Sequence, residues 1–175
     1  MKKNIILILM AMMLSMTVSV FAETLKIAYI DSDKIMAQSK DTVEARKKFE
    51  TDQKAWQQQI KDLDDEIQRL KNEYDSRKMT MTDELKSETE KTIQAKIDAR
   101  QKFVKDIFGE NGKAAQRNAE LLSPILKKIQ TALEKISVEQ NISMVFDGSS
   151  GGILYAKPSL DITDQVIAEI NKVSE

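Results

Sequence analysis

The sequence has no cysteine and no histidine in its 175 residues. The first absence rules out disulfide staples and a thiol nucleophile. The second removes the usual general base near neutral pH and, with the first, most transition-metal sites. Proline occurs twice, glycine five times, and aromatics make up 5% of the chain. So few turn formers and so few large core residues, beside 31% charged residues, describe long solvated helices with a thin apolar seam. An excess of positive charge is also missing: 27 basic residues face 28 acidic ones. That balance argues against an electrostatic nucleic-acid binder.

Only one long apolar run exists, and it stands at the start. Lys2 and Lys3 precede Ile5 to Leu14, and Val20-Phe21-Ala22 supplies small residues at cleavage-site spacing. The expectation is a signal peptide over 1–22, cleaved on export to the periplasm. A retained anchor would need about 20 apolar residues, whereas Ser15, Thr17 and Ser19 dilute this run early. With no later stretch of that length, no stable membrane insertion is expected after cleavage. Loss of Lys2 and Lys3 leaves 25 basic against 28 acidic residues.

Residues 23–41 read as the first part of a β body. Leu25, Ile27 and Tyr29 alternate with Lys26, Ala28 and Ile30 as a short strand ended by Asp31-Ser32-Asp33. Ser32 or Asp33 is a candidate cap for a short helical turn through Ile35, and the polar run Ser39 to Thr42 for a longer helix. Residues 42–112 read as a helical hairpin arm. Phe49, Gln53, Trp56, Ile60, Leu63, Ile67, Leu70 and Tyr74 form a heptad seam too narrow for a globular core, so it needs one partner helix. A second series, Leu85, Thr89, Ile93, Ile97, Arg100, Val104 and Ile107, supplies it. In an antiparallel pair facing residues have numbers of constant sum. Leu70 with Ile93, Ile67 with Ile97, Leu63 with Arg100, Ile60 with Val104 and Trp56 with Ile107 all give 163 or 164. The same rule pairs Phe49 with Ala114 or Ala115 and puts the tip near 78–83. Interior Gly109 and Gly112 imply a close helix approach or a bend.

Residues 113–175 read as the return helix and the rest of the β body. Ala115, Ala119, Leu122, Leu126, Ile129, Leu133 and Ile136 are joined by Leu121, Ile125 and Ala132 into a wider apolar face. Ser123-Pro124 is either a new cap or a kink. Beyond Asn141, Ile142 to Phe146 reads as strand two, 147–152 as a turn, Ile153-Leu154-Tyr155 as strand three, and Asp161 to Asp164 as the cap of a last helix carrying Val166, Ile167, Ile170 and Val173. The expected oligomer and body core comprises Ile27, Tyr29, Leu126, Ile129, Leu133, Val145, Phe146 and Leu154. A sheet this small is marginal alone, which points to self-association.

Chemistry is hard to find. Asp31 and Asp33 read as strand terminator and cap rather than a cation site. Gly148 to Gly152 lacks the Gly-Lys-Ser/Thr ending of a phosphate loop and reads as a turn. Arg46-Lys47-Lys48 and Lys113 to Arg117 read as solvated helix faces. No catalytic residue, cofactor or metal is expected, so the chain reads as a non-enzyme. Met79 and Met81 at the tip are candidate client contacts, because methionine adapts to varied apolar partners.

Lys-Ile-Ala-Tyr-Ile-Asp at 26–31, the helical hairpin, Ser123-Pro124-Ile125, Met144-Val145-Phe146-Asp147 and Leu160-Asp161-Ile162-Thr163 together resemble the Skp/OmpH family of periplasmic outer-membrane-protein chaperones. The resemblance covers essentially the whole mature chain. It implies a mainly α protein with a small β body, a jellyfish-like homotrimer whose arms enclose a cavity, ATP-independent holding of unfolded outer-membrane β-barrel proteins, and no cofactor. Well-known members are strongly basic, and this chain is not. A periplasmic coiled-coil spacer or adaptor with one fixed protein partner is the alternative.

Overall fold

The computed structural model describes residues 25–172. The expected signal peptide, the mature start near Glu23 and Val173 lie outside them. Strand β1 (Ile27–Ile30) leads into helix α1 (Ser32–Gln38), followed by α2 (Lys40–Arg77), α3 (Asp83–Phe108) and α4 (Lys113–Gln140). Strand β2 (Met144–Asp147), a 3₁₀ turn (Pro158–Leu160) and α5 (Thr163–Lys172) complete the chain. The fold is thus mainly helical with a two-stranded sheet, as the composition implies.

Helix boundaries follow local chemistry. Asp31, not Ser32 or Asp33, caps α1, its carboxylate accepting from the Lys34 backbone N–H at 2.8 Å. Asp31 has the extended backbone a cap requires, while Ser32 already lies inside the first turn. Ser39 caps α2 through Thr42 N–H, and Thr82 caps α3 through Leu85 N–H. At the far end of α4, Asn141 adopts φ 55°, and the Ile142 N–H reaches back to Ser137 O at 2.8 Å. This is the left-handed termination that asparagine tolerates. Pro124 sits inside α4, so the chain neither stops nor restarts there, and the new-cap reading is set aside.

The arm is the α2/α3 hairpin, with α2 roughly 55 Å long at 1.5 Å per residue. Its register is fixed by contacts across the seam. Asp64 pairs with Arg100 through two bonds, and Tyr74 donates to Glu90; both pairs have residue numbers summing to 164. Glu66 with Lys96 gives 162. Ile67 and Ile93 are buried between the helices, and Trp56 meets Phe108 edge-on at 6.1 Å.

Below the arm the register changes. Asp52 pairs with Arg117 and Asp41 with Lys128, and both sums are 169. The pairing of Phe49 with Ala114 or Ala115 is therefore corrected. The cause is the segment 109–112, which is not interior helix: Gly109 ends α3, Asn111 has φ 56°, and Gly112 opens α4. These residues add chain without advancing along the arm. A Cβ at Gly112 would lie 2.5 Å from the Ile107 carbonyl oxygen and 2.9 Å from that of Gly109. Gly112→Ala is expected to cost on the order of 1–3 kcal/mol, read as a lower thermal midpoint of the far-ultraviolet circular dichroism signal. An unchanged midpoint would contradict the close approach.

The body closes around one core. Ala28 and Ile30 from β1, Ile35 from α1, Ala132 and Ile136 from α4, and Ile162, Val166 and Ile170 around α5 form a single buried cluster. The whole helical excursion α1–α4 is the crossover between two parallel strands, Ile27 facing Met144 and Ile30 facing Asp147. The expected third strand is corrected. Ile153-Leu154-Tyr155 is not extended into the sheet; the second edge of β1 is met instead by Asp161, with the Ile162 N–H donating to Tyr29 O at 3.0 Å.

Candidate functional site

Two surfaces stand out, one on the body and one at the arm's end. The body surface follows from the parallel register, which puts Ile27 beside Met144 and Tyr29 beside Phe146 on one face of the sheet. The opposite face, carrying Ala28 and Ile30, is the one the helices cover. Expectation had the bulkier set, Ile27 and Tyr29, in the core. The structure reverses the faces, because the small Ala28 lets the helices lie close while the bulky set is left outward.

Loop 148–157 extends this outward face. Leu154 is 98% exposed and Tyr155 84%, and with Ile27, Phe146, Ile153 and Leu160 they line a cavity of about 540 Å³. Of the expected oligomer and body core, Ile27, Phe146 and Leu154 thus lie outside the core of the single chain. Leu126 does too, being 56% exposed. The α4 stripe that meets the body is Ile129, Ala132, Leu133 and Ile136, preceded by buried Ile125 beside Ala45 of α2, and Leu126 is rotated about 100° from Ile125. Ile129, Leu133 and Val145 are partly buried against the core cluster.

A polar tie closes the crossover beside this face. Asp147, at the end of β2, accepts from Ser32 Oγ at 2.6 Å, from Ser32 N–H, and from Ser149 N–H at 3.0 Å. The Ser32 bond, ahead of the others, holds the carboxyl below its ordinary value of 3.8. A depressed folded value means that this carboxylate stabilises the fold above pH 3.8 and ceases to as the pH falls through the lower folded value. Asp147→Asn is accordingly expected to flatten the acid limb of a stability–pH profile without steepening the neutral part. An unaltered acid limb would contradict the tie. No signal in the sequence beyond the Asp-Gly-Ser turn pointed to it.

On the arm, residues 78–82 turn the chain between α2 and α3. Met79 is 89% exposed, whereas Met81 is half-buried against the end of the seam. The Tyr74 hydroxyl donates to Glu90, and this bond, with the nearby negative charge, raises the phenol above its ordinary value of 10.0. Arg46 and Lys47 are exposed, Lys48 pairs with Glu44 one turn away, and Arg117 with Asp52. These basic spots therefore do not gather into one patch.

Among the described residues no group of three or more acidic side chains is arranged to hold a metal, and no helix is long and apolar enough to cross a membrane. Asp31 is engaged as a cap, and Asp33 lies in the first turn of α1.

A profile of the family described as "Outer membrane protein (OmpH-like)" matches residues 26–170. The chain belongs to the OmpH-like family. A crystal structure of an OmpH-like candidate outer membrane chaperone from Caulobacter crescentus CB15 is similar to it in fold, with a TM-score of 0.76 at 17% identity over 85% of each chain. No curated protein matches the sequence. The Caulobacter protein is the one described as a chaperone, and at that identity the likeness shows a shared fold.

Proposed function

We propose that this protein is an ATP-independent periplasmic holding chaperone that keeps unfolded outer-membrane β-barrel proteins from aggregating. The observation that carries the reading is the pairing of a long arm, charged over most of its surface, with a body whose apolar face lies open in one chain. Copies join through that face, with Leu154 and Tyr155 reaching across to the neighbour. Three copies, the number implied by the Skp/OmpH resemblance, would set three arms around a shared cavity. Met1 to Ala22 is removed on export.

Burial of the outward face has the magnitude needed. Each large apolar side chain taken out of water contributes about 1.5–3 kcal/mol, so a handful per copy offsets the cost of association. The arms, by contrast, lack a deep apolar pocket. An unfolded chain held at many weak points on several arms gains avidity without a tight site. Release then needs no nucleotide, because each contact breaks easily once the client begins to fold.

The test is dilution of a barrel protein from urea in the presence and absence of this protein. Turbidity should be suppressed at near-stoichiometric amounts for several unrelated barrel proteins, and their folded forms should be ignored. Unchanged turbidity with every client would favour the fixed-partner spacer or adaptor instead.

A further inference from the structure

The end of the arm is built differently from the rest of its seam. The register that pairs Tyr74 with Glu90 sets Leu85 opposite Met79, but α2 has ended at Arg77 and Met79 points into solvent. Leu85 therefore lacks a facing helix and is 45% exposed. The last layer opens into a groove of about 440 Å³, floored by Leu70, Tyr74, Met81 and Leu85. Its charged lining is Glu73, Arg77 and Glu88. The Glu73 carboxylate is taken by Arg69, whereas the Glu88 carboxylate has no side-chain partner among the described residues.

Charge around the groove is one-sided. Leaving aside Glu73, which Arg69 takes, residues 75–90 have five acidic residues against three basic ones. Two of those three, Lys78 and Lys86, are paired locally with Asp75 and Asp83. Tyr74 is held by its hydroxyl bond to Glu90, which fixes the ring and adds negative charge at its edge. An aromatic face beside an unpartnered carboxylate attracts a cation, and a flexible methionine fits varied apolar shapes.

We propose that this groove receives one lysine or arginine side chain, with its apolar neighbour in sequence, from an extended unfolded polypeptide. The cation lies over Tyr74 toward Glu88, and the apolar neighbour packs on Met81 and Leu85. Arg77 opposes the cation, so Glu88 and Arg77 act with opposite sign. The inference rests on the holding-chaperone reading and adds the kind of client segment that the arm's end selects.

Two labelled unfolded peptides test it, identical except that arginine–leucine pairs in one become glutamate–leucine in the other. Fluorescence anisotropy is measured against the full-length mature protein, with helicity of every variant checked by circular dichroism. The arginine peptide should bind and the glutamate peptide should not. Glu88→Gln should weaken binding by about threefold, and Arg77→Gln should strengthen it by about the same factor, as expected for exposed charge contacts. Peptides that bind alike, or charge variants that leave binding unchanged or shift it in one common direction, would overturn the groove. Retention of a urea-diluted barrel protein is followed in parallel. A client still held while the peptides bind alike removes the groove alone; a client lost while the peptides still discriminate removes the chaperone reading and leaves the groove as a peptide site.

Discussion

Replacing Leu154 and Tyr155 together by aspartate is expected to convert the assembled protein into single protomers without unfolding them. Both side chains are almost wholly exposed in one chain, so the change removes nothing from the protomer's own core. In the assembly they would be covered. Losing two such side chains costs each interface on the order of 3–6 kcal/mol, roughly a hundredfold to ten-thousandfold in the dissociation constant, before the carboxylates' own desolvation is counted. Sedimentation should show the protomer mass with unchanged helicity. A variant that keeps the assembled mass would mean that the apolar face is not where copies meet.

The second large effect separates body from arm. Val166 is fully buried in the body cluster, and Val166→Asp places a carboxylate there with no partner to receive it. The expected cost, about 3–5 kcal/mol or more, is a large fraction of what a domain this small can hold. Body and assembly should be lost together. Ile93→Asp puts the same charge into the arm seam, where Ile93 is buried only between two helices and water is one side chain away. That variant should lose distal helicity and client protection yet keep its assembled mass. Light scattering with circular dichroism checks both. If Val166→Asp stays assembled, or Ile93→Asp dissociates, the division into body and arm is wrong.

Much of this was legible in the sequence because an antiparallel hairpin leaves a numerical trace. The Asp64–Arg100 and Tyr74–Glu90 contacts fall on the constant sum that the apolar spacing gives. The trace fails where the backbone leaves the helix: the residues of 109–112 shift it by five, and a rule that counts residues as though all were helical cannot register that. The β body was less legible for another reason. In β1 the residues facing outward are bulkier and as apolar as those facing inward, so alternation marks two faces without saying which is covered. Parallel pairing of β1 with β2 joins residues more than a hundred positions apart, and no local pattern encodes it. The same holds for Asp161, which lies beside β1 where Ile153 to Tyr155 had the better strand composition. Pro124 was ambiguous because packing of α4 on its neighbours outweighs one lost backbone bond. At the arm's end Met79 and Met81 drew notice by residue type, but their different exposures depend on where α2 stops.

The central claim, that copies of this protein join through the body and hold an unfolded chain among their arms, is tested most directly by light-scattering mass. The mature protein is measured alone and again with a barrel protein diluted from urea. The account predicts a mass of three protomers that rises by one client while the solution stays clear. A single-protomer mass that does not change while the client precipitates would contradict it.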